Sequence, residues 1–189
     1  MSSAKQRELI HTRSILAQGF RIENDLFEIE VSLRDTKSFD RVGPAETRPA
    51  GQPIHDMTLC LTVDRQMNIV AVSVNFSSVP YVGSCESIAS KYQSLVGMAL
   101  KPGFSSAARE IFGGNKGCAH MTELVSIAAT TAYQTIGKDR SGATDANKKP
   151  FQLDRCHALR SDGEVVAKYY PRWASSSVDR PVEKNNGER

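Results

Sequence analysis

Alternation of apolar and polar residues dominates the first eighty positions. Phe27, Ile29, Val31 and Leu33 interleave with Glu28, Glu30, Ser32 and Arg34, the two-residue period of a strand that turns one face to a core. The pattern predicts a strand over 26–34, paired antiparallel with one over 14–22 through the polar turn Glu23-Asn24-Asp25. A second hairpin follows. Met57, Leu59, Leu61 and Val63 form one arm, Asp64-Arg65-Gln66 the turn, and Val70, Val72, Val74 and Phe76 the other arm. Between the hairpins, residues 37–53 carry three prolines and two glycines, which predicts a long exposed loop.

The period then changes. From Ser84, placed as an N-cap, Ile88, Tyr92, Leu95 and Val96 fall on one helical face, and Gly97 ends the segment. A short helix is predicted at about 104–112, stopping at Gly113-Gly114, and a longer one at about 117–136 with Met121, Leu124, Ile127, Ala128 and Thr131 inward and Gly137 as its stop. The stretch 138–150 is polar, residues 152–160 and 164–170 are read as a last hairpin around Ser161-Asp162-Gly163, and the tail beyond Trp173 is read as disordered. The expectation is an α+β fold, an antiparallel sheet of about four to six strands with helices on one face, in a single domain over 1–174 with a tail at 175–189.

Composition narrows the functional classes. The 189 residues are 40% hydrophobic and 24% charged, ordinary for a globular domain. The net charge of +3 is spread without a basic stripe, so nucleic acid is not an expected partner. No apolar run reaches the roughly 18 residues of a membrane span, and the charged start lacks a secretory apolar region, so no membrane partner and a cytoplasmic location are expected. Four cysteines, Cys60, Cys85, Cys118 and Cys156, are too sparse for a disulfide scaffold. They are left as packing residues, metal ligands or nucleophiles.

Cys85 and Cys118 both fall where helix starts are predicted, and a helix N-terminus favours thiolate. His120 and Glu123, three apart, share a helical face with each other and with the start near Cys118. His55 has the parity of Met57 and Leu59, so its ring should point toward the helices, with Asp56 beside it. A single histidine at a strand end serves equally well as a satisfied structural residue, and a cysteine at a helix start as plain packing. Cys60 has the opposite parity to His55 and reads as packing. Arg155 and Arg160, flanking Cys156-His157, offer guanidinium forks for an anionic substrate group, or simply a solvated edge. Tyr81, Tyr92, Tyr169, Tyr170 and Trp173 could line an aromatic-accepting pocket, although such residues are more often core. There is no P-loop, dinucleotide fingerprint or His-Glu-x-x-His motif.

The stretches FRIENDLFEIEVSLRDTK, AGQPIHDM, GCAHMTEL and DRCHALRSDGEVVAKYYPRW resemble the bacterial family catalogued as domain of unknown function 2889 over nearly the whole chain. That resemblance implies an association with aromatic, lignin-derived compound catabolism. Residues 54–136 are also similar in element order to the NifU-type iron–sulfur scaffold, within a NifU/SufE-like core. On that resemblance His55 stands where the scaffold has its first cysteine, Cys85 matches the second, and Cys118-Ala119-His120 replaces its His-Cys pair. The mixed donor set suits zinc or ferrous iron better than a cluster.

These readings lead to a small-molecule lyase, in its most specific form a deformylating retro-aldol enzyme acting on a lignin-derived aromatic compound. Proton transfer falls to His55 or His120, with Asp56 or Glu123 as orienting carboxylate. Arg155, Arg160, Tyr81 and Tyr169 are the substrate-binding candidates, and Cys85, Cys118 and His120 the candidate ligands of a single zinc or iron ion, if the chain carries any cofactor. The rival is a zinc or iron–sulfur and sulfur carrier, and a third reading is a plain ligand-binding module. A homo-oligomer is compatible with each.

Overall fold

A computed structural model describes residues 6–44, 46–141 and 149–175. The chain gathers into two compact units, residues 1–138 and 139–189. The first is built on a four-stranded antiparallel sheet ordered β1-β2-β5-β6, from β1 (His11–Arg21), β2 (Phe27–Lys37), β5 (Pro53–Val63) and β6 (Ile69–Ser78). In the long loop a two-stranded ribbon forms, β3 (Arg41–Val42) with β4 (Thr47–Arg48). Its Arg48 guanidinium donates to the carbonyls of Pro53 and Val79 and ties the loop to the sheet.

The alternation is carried through as packing. Phe27, Ile29, Val31 and Leu33 on β2 and Met57, Leu59, Leu61 and Val63 on β5 are all buried, and they share one core cluster with Tyr92, Leu95, Phe112, Met121, Leu124 and Ala128 from the helical segments. Helices thus cover one sheet face; each such side chain contributes roughly 1.5–3 kcal/mol by leaving water. The opposite face is polar and half-buried, with Glu28, Glu30, Thr58 and Thr62. Cys60 lies there beside Glu28 and Glu30, and burial together with those carboxylates pushes its thiol up to about 12.

On β6 the alternation breaks. Ile69 and Val72 are buried, Val74 and Phe76 only partly, and Val70 is exposed, because the β5–β6 register shifts at Thr62/Val63. The segment after Ser84 is a 3-10 helix, Glu86–Leu95, preceded by a turn in which both Ser84 N–H and Cys85 N–H bond the Tyr81 carbonyl. Ser84 is therefore not its N-cap, and Val96 faces solvent while Tyr92 and Leu95 are buried. Gly97 does end it, in the left-handed region at φ 85° with its N–H on the Ile69 carbonyl. Helix α1 (Phe104–Phe112) lies where the pattern puts it. Helix α2 (Ala119–Ser141) runs through Gly137 rather than stopping there; one interior glycine costs only about 1 kcal/mol.

The second unit has no hairpin among its described residues. The chain from Phe151 forms turns, a 3-10 turn at His157–Leu159, a short helix α3 (Glu164–Tyr169) and a last turn at Pro171–Trp173. Asp154, with φ 61°, accepts hydrogen bonds from Ser161 N–H, Ser161 Oγ and Lys149 Nζ. This side-chain clasp closes the loop locally, so no strand ladder is required. Residues 142–148 of the polar stretch, and the tail from 176, lie outside the described residues.

Strand β1 is held on α2 at Gly19, where an added Cβ would stand 1.8 Å from Thr135 Oγ1 and 2.7 Å from Thr135 Cβ. Thr135 is β-branched and donates its hydroxyl to the Thr131 carbonyl, so it cannot swing clear. Gly19→Ala is expected to lower stability by about 1–3 kcal/mol in urea unfolding. Thr135→Ala should recover only part of the loss, because the Thr135 Cβ position alone is already too close.

Candidate functional site

Continuing the inward parity of β2 past Leu33 brings the next core-facing position to Asp35. This carboxylate is 3% exposed, and burying an ion without compensation costs several kcal/mol. The compensation comes from the residues that the register sets beside it. Arg13 on β1 and His55 on β5 are its direct cross-strand partners, and His11 lies two positions before Arg13.

Arg13 donates Nε to Asp35 Oδ1 and Nη2 to Oδ2, both at 2.8 Å, a bidentate fork. His11 Nε2 lies 3.1 Å from Oδ1 and His55 Nδ1 3.1 Å from Oδ2. Burial by itself would raise the Asp35 pKa, but the Arg13 fork and the two histidine contacts outweigh it and hold the carboxyl at about 2. Asp35 is therefore an anion and only accepts, which puts the hydrogen of His55 on Nδ1 and leaves Nε2 with a free lone pair.

The first turns of α2 close the site from above the sheet. His120 lies with its ring centroid 4.0 Å from that of His55, its Nε2 3.8 Å from Asp35 Oδ2 and its Nδ1 4.0 Å from Cys118 Sγ. Burial chiefly, with His120's charge for His55 and Arg13's for His120, lowers both imidazole pKa values below the ordinary 6.5. Both rings are neutral at neutral pH. Glu123 takes the remaining arm of Arg13, Nη1 to Oε2 at 2.9 Å. A register shift between Asp35 and Thr36, which leaves Ile54 as the extra residue on β5, sits at this end of the sheet. Bulges are frequent where a strand must re-aim a side chain.

The expected residues separate accordingly. His55 and His120 meet, and Glu123 joins through Arg13 rather than by orienting an imidazole. Asp56 points from the opposite sheet face, paired with Arg34 at 3.0 Å, since it alternates with His55. Cys118 adjoins His120. Cys85 precedes a 3-10 segment in an exposed turn and is no part of the cluster, and Tyr81 of the same turn is half exposed. Among the described residues, the one group of three metal-capable side chains with donor atoms within 4.8 Å of each other is Asp35, His55 and His120, not Cys85, Cys118 and His120. That group fits an ion poorly. A carboxylate has about four lone-pair positions, and here Arg13 twice, His11 and His55 take all four, with a guanidinium alongside.

Arg155, Arg160 and Tyr169 belong to the second unit. Arg160 bonds His157 Nε2 at 3.1 Å and pairs with Asp162, lining with His157 and Glu164 a hollow of about 220 Å³. Arg155 is exposed, and Tyr169 is 63% exposed under the Lys168 ammonium. Asp35, Arg13 and His11 were not singled out by the sequence reading, which ended β2 at Arg34 and began β1 at Ser14. The available signal was an aspartate at the next inward position of an otherwise apolar strand face.

Two measurements check this electrostatic account. Removing the fork by Arg13→Ala leaves the buried carboxylate with only its His11 and His55 contacts and is expected to cost at most about 3–5 kcal/mol in denaturant unfolding at pH 7. The Asp35 carboxyl has its pKa depressed from 3.8 to about 2, so its contribution is complete above 3.8 and is lost as pH falls toward 2. That amounts to about 2 kcal/mol, and Asp35→Asn should flatten the stability profile across this window.

No helix among the described residues is long and apolar enough to cross a membrane. No curated protein and no solved structure matches the chain, so the likeness to the NifU-type scaffold rests on sequence order alone. The family model described as "Protein of unknown function (DUF2889)" matches residues 11–134, a span that holds His11, Arg13, Asp35, His55, Cys118, His120 and Glu123. The chain belongs to the DUF2889 family.

Proposed function

We propose that the protein is a lyase that works by general acid–base catalysis at His55 and His120, cleaving a carbon–carbon bond of a small hydroxylated substrate in the retro-aldol sense. The observation that supports it is the Asp35–His55 dyad: an ionised, buried carboxylate holds Nδ1–H of a neutral imidazole, and the free Nε2 is a base available at neutral pH. The carboxylate orients and stabilises the imidazolium without taking its proton, a division of labour familiar from hydrolytic triads.

In this reading Nε2 of His55 takes the proton of a substrate hydroxyl. The hydroxyl oxygen forms a carbonyl as the carbon–carbon bond breaks, and the bonding pair passes to the other carbon, which must be next to an electron-withdrawing group. The proton then returns to that carbon from the imidazole pair. Because His120's charge disfavours charge on His55, the two rings hold no more than one extra proton between them. The Arg13 guanidinium, one-third exposed, supplies fixed positive charge at the rim where negative charge develops. Loss of a hydroxymethyl group as formaldehyde from a lignin-derived diaryl compound is the specific form proposed.

The test is formaldehyde release from hydroxymethyl-bearing diaryl compounds by purified protein. His55→Gln is expected to lower turnover by about 10²–10⁴-fold while leaving the fold intact by circular dichroism. The acid limb of the rate profile should lie below pH 6.5, since the base must be neutral and its pKa is lowered. Absence of turnover on the whole substrate panel, or a His55→Gln enzyme as fast as the parent, removes the proposal.

A further inference from the structure

Cys118 stands immediately before the first residue of α2, and its main chain is pinned from two sides. The Tyr92 hydroxyl accepts from Cys118 N–H and donates to the Cys118 carbonyl, each at 3.1 Å, and that carbonyl also accepts from Thr122 N–H at 2.9 Å and Thr122 Oγ1 at 2.8 Å. Tyr92 is fully buried and stacked on Phe112 at 4.5 Å, so the backbone at Cys118 is anchored in the core. Its Sγ then faces His120 Nδ1 at 4.0 Å, while the other nitrogen of that ring, Nε2, lies 3.8 Å from the buried Asp35 carboxylate. The thiol thus lies beside one ring nitrogen and the carboxylate on the side of the other, beyond hydrogen-bond distance, so that Asp35 acts on the ring through its charge. This is the arrangement by which an imidazole activates a thiol nucleophile.

We propose that Cys118 is a nucleophilic thiol with acyl-transfer activity, His120 being its base and Asp35 the anion that faces the resulting imidazolium. The ligand class is an activated acyl compound, an ester or thioester. The sulfur attacks the acyl carbon as its proton passes to Nδ1 of His120. The carbon–sulfur bond forms, the bond to the alcohol or thiol leaving group breaks, and that group takes the proton from His120. Water then cleaves the thioester, giving the free acid and restoring the thiol, with His55 Nε2 next to His120 able to take the proton of the water. No cofactor or redox partner is required. Arg13 and Glu123 are the remaining charged groups around His120; burial and Arg13 keep this ring neutral at pH 7, ready to accept a proton.

Two of the three other cysteines serve as internal controls. Cys60 is on the polar sheet face with its thiol pushed up to about 12, and Cys156 is exposed in the second unit. The experiment mixes the full chain with p-nitrophenyl acetate at pH 7, follows the release of p-nitrophenolate, and locates the acetyl group by peptide mass spectrometry. The expected result is an initial release of about one equivalent per chain with the acetyl group on Cys118, formed at least about tenfold faster than on Cys156 despite the latter's exposure. His120→Gln should slow acetylation of Cys118 at least about a hundredfold. Arg34→Ala, on the opposite sheet face where Arg34 pairs with Asp56, should leave it within about threefold. Acetylation of Cys118 no faster than of Cys156, or a rate unchanged in His120→Gln, overturns the proposal. The comparison of Cys118 with Cys156 needs no variant and stands even where a variant does not fold. No lyase substrate is present, so failure here and failure of the lyase reading are separate results.

Discussion

A carboxylate set into the apolar face of a sheet is the constraint around which the rest of the site is arranged. Asp35 occupies the position after Leu33 on the core side of β2, where a side chain has no water to turn to, and its charge must be met by the protein itself. The edge strand supplies a guanidinium and an imidazole, the inner strand a second imidazole. The fork of Arg13 dominates because it is always charged, planar and bidentate, so it satisfies both oxygens in one geometry. With the anion fixed, the tautomer of His55 follows, and with it the direction in which a lone pair is offered.

Three features of the scaffold bring the remaining groups to this point. The register aligns Arg13, Asp35 and His55 across three adjacent strands, the irregularity at Ile54 falls beside them, and the start of α2 lies over the same sheet end. Tyr92 fixes the last of these by gripping the main chain of Cys118, so that His120 enters against His55. Gly19 makes room for Thr135 further along, letting β1 sit close enough to α2 for Arg13 to reach Glu123. Packing contacts of no chemical interest thus determine the distances between reactive groups.

Charge also explains what these residues do not do. The saturation of the Asp35 oxygens turns a trio with the composition of a metal site into a hydrogen-bonded hub. The same saturation leaves His55 Nε2, His120 and Cys118 as the groups with unspent reactivity, and these point to proton transfer and thiol chemistry. Outside the cluster, Asp56 and Cys60 share its strand but face the other way, with Arg34 and with Glu28 and Glu30 as their company.

The sequence by itself determined the antiparallel sheet, the order of its four strands along the chain and the existence of α1 and α2, because two-residue and helical periodicities report directly which face meets a core. It also determined that His55 points inward, by parity with Met57 and Leu59. It did not determine the last unit, where Val165 and Val166 read as a strand but the clasp around Asp154 makes turns and a short helix. The partners of His55 were decided only in three dimensions. Arg13, Asp35 and His120 are distant along the chain, and nothing local to any of them states which residue stands opposite; that depends on strand register and on where α2 docks. A lone aspartate in a strand is unremarkable as text and becomes a hub only when folding removes its water and leaves Arg13, His11 and His55 as the groups able to replace it.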